Sequence, residues 1–254
     1  MINSNHIIMC IVCKWEVLSD KEKNFENLFV CHRVNVIPEL PKSIKILNCS
    51  GNFSITLLPE LPLSLEVLYL NGCSSLVSLP KLPKSLRIFD CRFCTSLASL
   101  PELPESLRIL VCTGCSSLIS LPKLPLLFTE LWVGECSSLE CLPKMPQTLK
   151  IFWCYNCPNL KLLPDMPQDI GIVQFEKCTG LIYVCGKIEN TISHELCKTI
   201  NSNYLKWRKE QTLYWFSSTH GIVYENLIRR TWHPDRVVDW CWDTEEVKWF
   251  KSLR

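Results

Sequence analysis

The sequence carries almost no excess charge of either sign: 27 Lys and Arg face 25 Asp and Glu, a net charge of +2. The cations are interspersed with anions, which excludes the basic footprint of a nucleic-acid interface. From Val184 onward, 11 basic residues stand against 9 acidic ones, so no basic arm is hidden in the tail. Long apolar runs are also lacking. None approaches the roughly 20 residues that span a bilayer, so no membrane partner is expected. The short run Ile7–Val12 follows a start without basic residues and is not read as a signal peptide. No Ser/His/Asp arrangement, phosphate-binding loop or pair of catalytic carboxylates is identifiable. The expectation is a non-enzymatic chain with no cofactor.

Cysteine, proline and leucine are abundant instead, and they recur in order. A 21-residue unit opening Leu-Pro-x-Leu-Pro starts at Ile37, Leu58, Leu79, Leu100, Leu121, Leu142 and Leu163, without insertion or deletion. Three copies read LPELPLSLEVLYLNGCSSLVS, LPKLPKSLRIFDCRFCTSLAS and LPELPESLRILVCTGCSSLIS. A fixed period of this length marks a solenoid, in which each coil buries its apolar side against its neighbours. The 17 cysteines are odd in number and mostly sit at repeat positions, so reduced thiols in a cytoplasmic protein are expected. The sequons at Asn48 and Asn52 fall inside repeat coils and are read as coincidence.

After the prolines, each copy fits L-x-x-L-x-L-x-x-N/C-x-x-L, the leucine-rich-repeat pattern. One copy supplies Leu65, Leu68, Leu70, Cys73 and Leu76; another supplies Leu107, Leu110, Cys112, Cys115 and Leu118. The alternating centre predicts a strand with one buried face, and successive strands should stack in parallel about 4.8 Å apart. Cys73, Cys94, Cys115, Cys136, Cys157 and Cys178 hold the asparagine position of the pattern, while Cys49, Cys91, Cys112 and Cys154 replace its third strand leucine. The C-x-x-C pairs Cys91/Cys94, Cys112/Cys115 and Cys154/Cys157 follow from this register, so the expected role is core rather than zinc. Fourteen of the sixteen prolines lie in the Leu-Pro segments, which forbids a regular helix or laddered strand there and favours an extended backbone. The first x residues (Glu39, Glu60, Lys81, Glu102, Lys123, Lys144, Asp165) should form a solvated edge.

The expected architecture is a leucine-rich-repeat solenoid with a parallel β-sheet on its concave face. An extended proline-rich segment forms the convex face, and a small α-helical C-terminal cap closes the end. Residues 1–36 would be an N-terminal cap with a degenerate first coil at Phe25–Cys31, residues 37–184 seven repeats, and 185–254 a Trp-rich helical region. Ser19–Glu22 carries a helix-start signature. Six of the nine tryptophans lie beyond Asn203, and Ile188, Ile192, Leu196 and Ile200 recur at helical spacing. Cys10, Cys13, Cys31 and His32 have partial zinc spacing, but adjacent ligands give poor geometry. His194, Cys197, His220 and His233 are read as structural.

The Leu-Pro-x-Leu-Pro-x-Ser-Leu opening resembles the short repeats of enterobacterial secreted effectors. The stretch Cys-Ser-Ser-Leu-x-Ser-Leu-Pro is similar to repeats of plant intracellular immune receptors. That stretch also resembles cysteine-bearing repeat proteins of large DNA viruses, and the tail string Trp232–Trp242 is similar to a short tail found on such proteins. The resemblance spans about Val36–Val184 and implies a monomeric interaction module in the cytoplasm, the host's if viral, that binds host proteins of unidentified kind. The effector resemblance also implies an alternative, a substrate adaptor or component of a ubiquitin-ligase system. Cys241-Trp242-Asp243 matches the ligase Cys-x-Asp motif in letters. The tail is far shorter than that ligase domain, and Cys241 sits among apolar neighbours, unlike a reactive thiol.

On the sheet's outward face the central positions read Asn48, Tyr69, Asp90, Val111, Trp132, Trp153 and Gln174. The next row reads Ser50, Asn71, Arg92, Thr113, Gly134, Tyr155 and Glu176. Exposed aromatics beside an arginine are the usual composition of a binding hot spot. The candidate partner site is therefore Trp132, Trp153 and Tyr155 as anchors, Tyr69 further along, and Asp90 with Arg92 setting polarity. A third, mostly aliphatic row (Ile46, Val67, Ile88, Ile109, Ile151, Ile172), broken by Glu130, would instead suit cover by a flanking element such as the tail.

Overall fold

A strand that recurs every 21 residues can pair only with its counterpart one coil away, and the computed structural model shows this register throughout. It describes residues 26–181 and 183–184. Eight strands form one parallel sheet in the order β1 (Asn27–Phe29), β2 (Ile46–Asn48), β3 (Val67–Tyr69), β4 (Ile88–Asp90), β5 (Ile109–Val111), β6 (Glu130–Gly134), β7 (Ile151–Tyr155) and β9 (Ile172–Glu176). From β2 onward every residue pairs with its equivalent in the next repeat, as Leu68 with Phe89 and Phe89 with Leu110. The chain is a parallel β-solenoid.

The pattern residues make the core. Leu65, Leu68, Leu70, Cys73 and Leu76 are all fully buried, as are Leu107, Leu110, Cys112, Cys115 and Leu118. Each buried leucine contributes about 2 kcal/mol of apolar transfer free energy, so every coil depends on its neighbours for cover. The leucines of the Leu-Pro segments close the core from the other side: Leu58, Leu61, Leu82, Leu121 and Leu124 are buried. The seven x residues from Glu39 to Asp165 are exposed.

The serine after the second proline ties coils together. Ser64 Oγ lies 2.6 Å from the carbonyls of both Lys42 and Ile44. Ser85, Ser106 and Thr148 repeat this contact in their own coils. Leu127 occupies the same position in one coil and is exposed instead.

Three features depart from the repeat read as a pattern. First, β1 pairs with β2 through Leu28 and Leu47, a 19-residue step where the others take 21. Val30 donates to the Asn48 carbonyl, as Cys49 does to that of Tyr69, yet Cys31 directly follows it. The first coil therefore lacks the two turn residues that Ser50 and Gly51 supply in the second. Second, the residue before each Asn/Cys position is left-handed in all seven later coils: Gly51, Gly72, Phe93, Gly114, Glu135, Asn156 and Lys177 have φ between 52° and 77°. Third, a thin second ladder runs beside the prolines. Strands β8 (Leu162–Leu163) and β10 (Tyr183–Val184) pair there, and Ser120 bridges Cys141. It stops at Pro164, which has no N–H to extend it.

Among the described residues there is no helix, and none long and apolar enough to cross a membrane. The expected C-terminal helical cap at 185–254, the Trp232–Trp242 string, Cys241, the Ser19–Glu22 helix start, Cys10 and Cys13 lie outside the described residues.

Candidate functional site

The outward face of the sheet is built by alternation: in β6 and β7, Leu131, Val133, Phe152 and Cys154 turn into the core, which sends Trp132, Trp153 and Tyr155 the other way. Parallel pairing sets Trp132 beside Trp153 and Gly134 beside Tyr155. The two indole rings lie 5.1 Å apart at 49°, and Tyr155 meets Trp153 edge-on at 5.8 Å and 79°. Such tilted and T-shaped contacts contribute about 0.5–1.5 kcal/mol beyond burial, so the three rings form one preformed surface.

Carboxylates fix the polar ends of the rings. Trp132 Nε1 donates to Glu130 Oε2 at 3.4 Å, and the Tyr155 hydroxyl donates to Glu135 Oε1 at 3.3 Å. Burial, followed by the charge and hydrogen bond of Glu135, holds the Tyr155 phenol above its ordinary pKa, so it stays a donor. Glu176 accepts a hydrogen bond from Gln174 on the next strand. The bare backbone of Gly134 makes room for the Tyr155 ring, with which any Cβ there would collide. Gly114, whose N–H donates to the Gly134 carbonyl at 2.7 Å, likewise lies under Phe93.

The remaining expected site residues are placed differently. Tyr69, half-buried on β3, is separated from Trp132 by β4 and β5. Asp90 is no open carboxylate: it is buried and held by Arg92, whose Nη2 lies 2.7 Å from Oδ2 and whose Nε and backbone N–H also donate to the carboxylate. The two residues stand on alternate outward positions of one coil, close enough for the guanidinium to fold back. They neutralise each other instead of setting the polarity of the aromatic patch. The aliphatic third row is half-buried apart from Ile172, which is exposed.

Two residues escaped the sequence reading. Phe93 is 46% exposed at a left-handed turn beside Arg92; only its place in register with Gly72 and Gly114 hints at that turn. Asn52 is fully buried. Its Nδ2 donates to the carbonyls of Cys31 and Val34, both at 2.7 Å, and its Oδ1 accepts from the N–H groups of Ser54 and Ile55. It holds the position that cysteine takes in later coils, a signal the sequon obscured.

The cysteines lie in the core as expected. Cys73, Cys94, Cys115 and Cys136 each donate a thiol hydrogen bond to the carbonyl of the residue that follows the strand of the preceding coil, at 3.0–3.2 Å. Burial pushes Cys73 up to about 11 and Cys94 higher still. A hydrogen bond to Cys115, then burial, raises Cys91. Protonated thiols of this kind are poor nucleophiles.

No family model matches the chain, and no curated protein does. Solved structures similar to it are leucine-rich-repeat proteins. YopM from Yersinia enterocolitica WA-314 is 22% identical with a TM-score of 0.37, over 66% of this chain and 43% of its own. A leucine-rich repeat protein from Bacteroides ovatus is 18% identical with a TM-score of 0.37, over 63% and 55%. The leucine-rich repeat protein of T. pallidum is 20% identical with a TM-score of 0.42, over 73% and 91%. The chain thus spans less than half the length of YopM and about half that of the Bacteroides protein. Superpositions this loose carry no argument, and the architecture rests on register and burial.

Proposed function

We propose that the chain is a leucine-rich-repeat interaction module that binds a protein partner without catalysis. The sheet face bearing Trp132, Trp153 and Tyr155 is its concave recognition surface. The observation that carries the reading is the ring cluster itself, three aromatics in contact on two adjacent strands of the sheet. Rigid aromatics give large contact area for little lost entropy, which is why they dominate hot spots. Glu130, Glu135 and Glu176 rim the patch and favour a partner segment carrying Lys or Arg, whose cation can sit against an indole face. Buried thiols at repeat positions favour a cytoplasmic setting, where thiols stay reduced. The adaptor reading would need the tail beyond residue 184, and no described residue favours it.

The test is capture of partners from expressing cells with wild-type protein and with Trp132→Ala/Trp153→Ala, after circular dichroism shows both folded. A partner held by the wild type and released by the variant supports the reading. Partners held equally by both overturn it.

A further inference from the structure

The cysteine column changes character at its last two described coils. In four coils the thiol at the asparagine position turns to a backbone carbonyl 24 residues back, just past the strand of the preceding coil. Cys157 and Cys178 do not. Cys157 contacts the Tyr155 carbonyl at 3.6 Å and shares thiol hydrogen bonds with Cys154 and Cys178, and Cys178 contacts the carbonyl of Glu176 at 3.6 Å. Cys178 Sγ faces Cys154 Sγ at 3.7 Å instead. The sulfurs of Cys154, Cys157 and Cys178 all lie within 4.8 Å of one another, and all three residues are fully buried. The other coils with cysteines in the same two positions gather no such group among the described residues.

We propose that Cys154, Cys157 and Cys178 form a three-sulfur site for a soft d10 metal ion, and that its ion is Cu(I). The chemistry of the donors makes the choice. Three thiolates around one ion at a metal–sulfur distance of about 2.3 Å stand about 4 Å apart, close to the spacing already present. Zinc in a structural site takes four ligands, and among the described residues no fourth Cys, His or carboxylate joins this group. Thiolates select Cu(I) among soft ions, and that ion is satisfied by three of them. Sequence spacing alone pairs Cys154 with Cys157 and argues for core. The coil-to-coil register supplies the third sulfur, 24 residues beyond the first.

Each sulfur that ligates as thiolate releases one proton. Cys178 sits at about 11: its hydrogen bond with Cys154 works downward, while that with Cys157 and burial outweigh it. Hydrogen bonds from Cys157 and Cys178, with burial, raise Cys154 well above its ordinary value. The ion must displace these protons, so its affinity rises with pH.

The test loads the reduced, full-length chain with Cu(I) under anaerobic conditions and challenges it with a Cu(I) chelator. Wild type and Cys73→Ser are expected to retain one ion per chain, with a three-sulfur shell by X-ray absorption. Cys178→Ser is expected to hold it at least tenfold more weakly. Equal retention by Cys178→Ser, or no retention by the wild type, overturns the site. Anomalous scattering at the copper edge from loaded wild-type crystals does not depend on how a variant folds. Copper between the three sulfurs supports the proposal, and copper on other thiols overturns it.

Discussion

The two halves of the solenoid share one period and use it differently. In the first coils the left-handed turn position is glycine, at Gly51 and Gly72, the strands are three residues long, and the outward rows carry Asn48, Ser50, Asn71 and a single aromatic, Tyr69. In the last coils Glu135, Asn156 and Lys177 hold the turn, the strands reach five residues, and the outward row carries Trp132, Trp153 and Tyr155. A left-handed turn without glycine costs roughly 1–2 kcal/mol per residue. The early coils are built for economy of folding. The late ones tolerate strain on the side where side chains face outward, as recognition surfaces often do.

The largest break in this comparison is expected at the early end. Asn52→Ala would strip the Val34 carbonyl and the N–H groups of Ser54 and Ile55 of their partner in a buried turn, while the Cys31 carbonyl keeps the Val34 N–H. A loss of roughly 3 kcal/mol follows if each of the three groups costs about 1 kcal/mol, measurable by urea denaturation. Cysteine, which serves this position in later coils, should recover part of it in Asn52→Cys. At the late end, Gly134→Ala would push the Tyr155 ring off its backbone seat. It is expected to weaken partner binding several-fold in a calorimetric titration while the far-ultraviolet dichroism stays unchanged.

A further contrast is in alkali. Buried thiols whose folded pKa is raised stabilise the fold fully below their unfolded pKa, near 9. That contribution is lost as pH climbs through the folded value, about 11 for Cys73 and Cys178. Stability should fall between pH 9 and 11 by at most about 1.4 kcal/mol per pH unit for each such thiol. Thermal melts of Cys73→Ala across this range should give a shallower slope than wild type.

Turn substitutions give smaller effects of opposite sign. Gly72→Ala meets no clash but takes an L-residue to φ 77°, at a cost of about 1 kcal/mol. Glu135→Gly relieves the same geometry and is expected to stabilise by up to about 1 kcal/mol, read from melting. Leu127→Ser should add about 0.5–1 kcal/mol by restoring the hydroxyl contact that Ser106 and Thr148 make.

Much of the scaffold was legible because it is periodic. Leu68, Leu110 and Cys115 declared their burial by register alone, and so did the contact of Trp132 with Trp153. What was hidden depends on backbone conformation or on neighbouring coils. Nothing in the letters Phe93, Glu135 or Lys177 signals a left-handed residue, although Gly51 and Gly114 occupy the same place. Asp90 reads as an outward charge until Arg92 folds onto it. The third sulfur beside Cys154 and Cys157 belongs to the next coil, so local spacing could not supply it.

The central claim is that the early coils are scaffold and the late outward aromatics do the binding. Titrating a captured partner into Trp132→Ala/Trp153→Ala and into Asn48→Ala/Ser50→Ala tests it most directly. The account predicts at least a tenfold loss of affinity, about 1.4 kcal/mol or more, for the first variant and none for the second. Equal affinities for the two variants would contradict it.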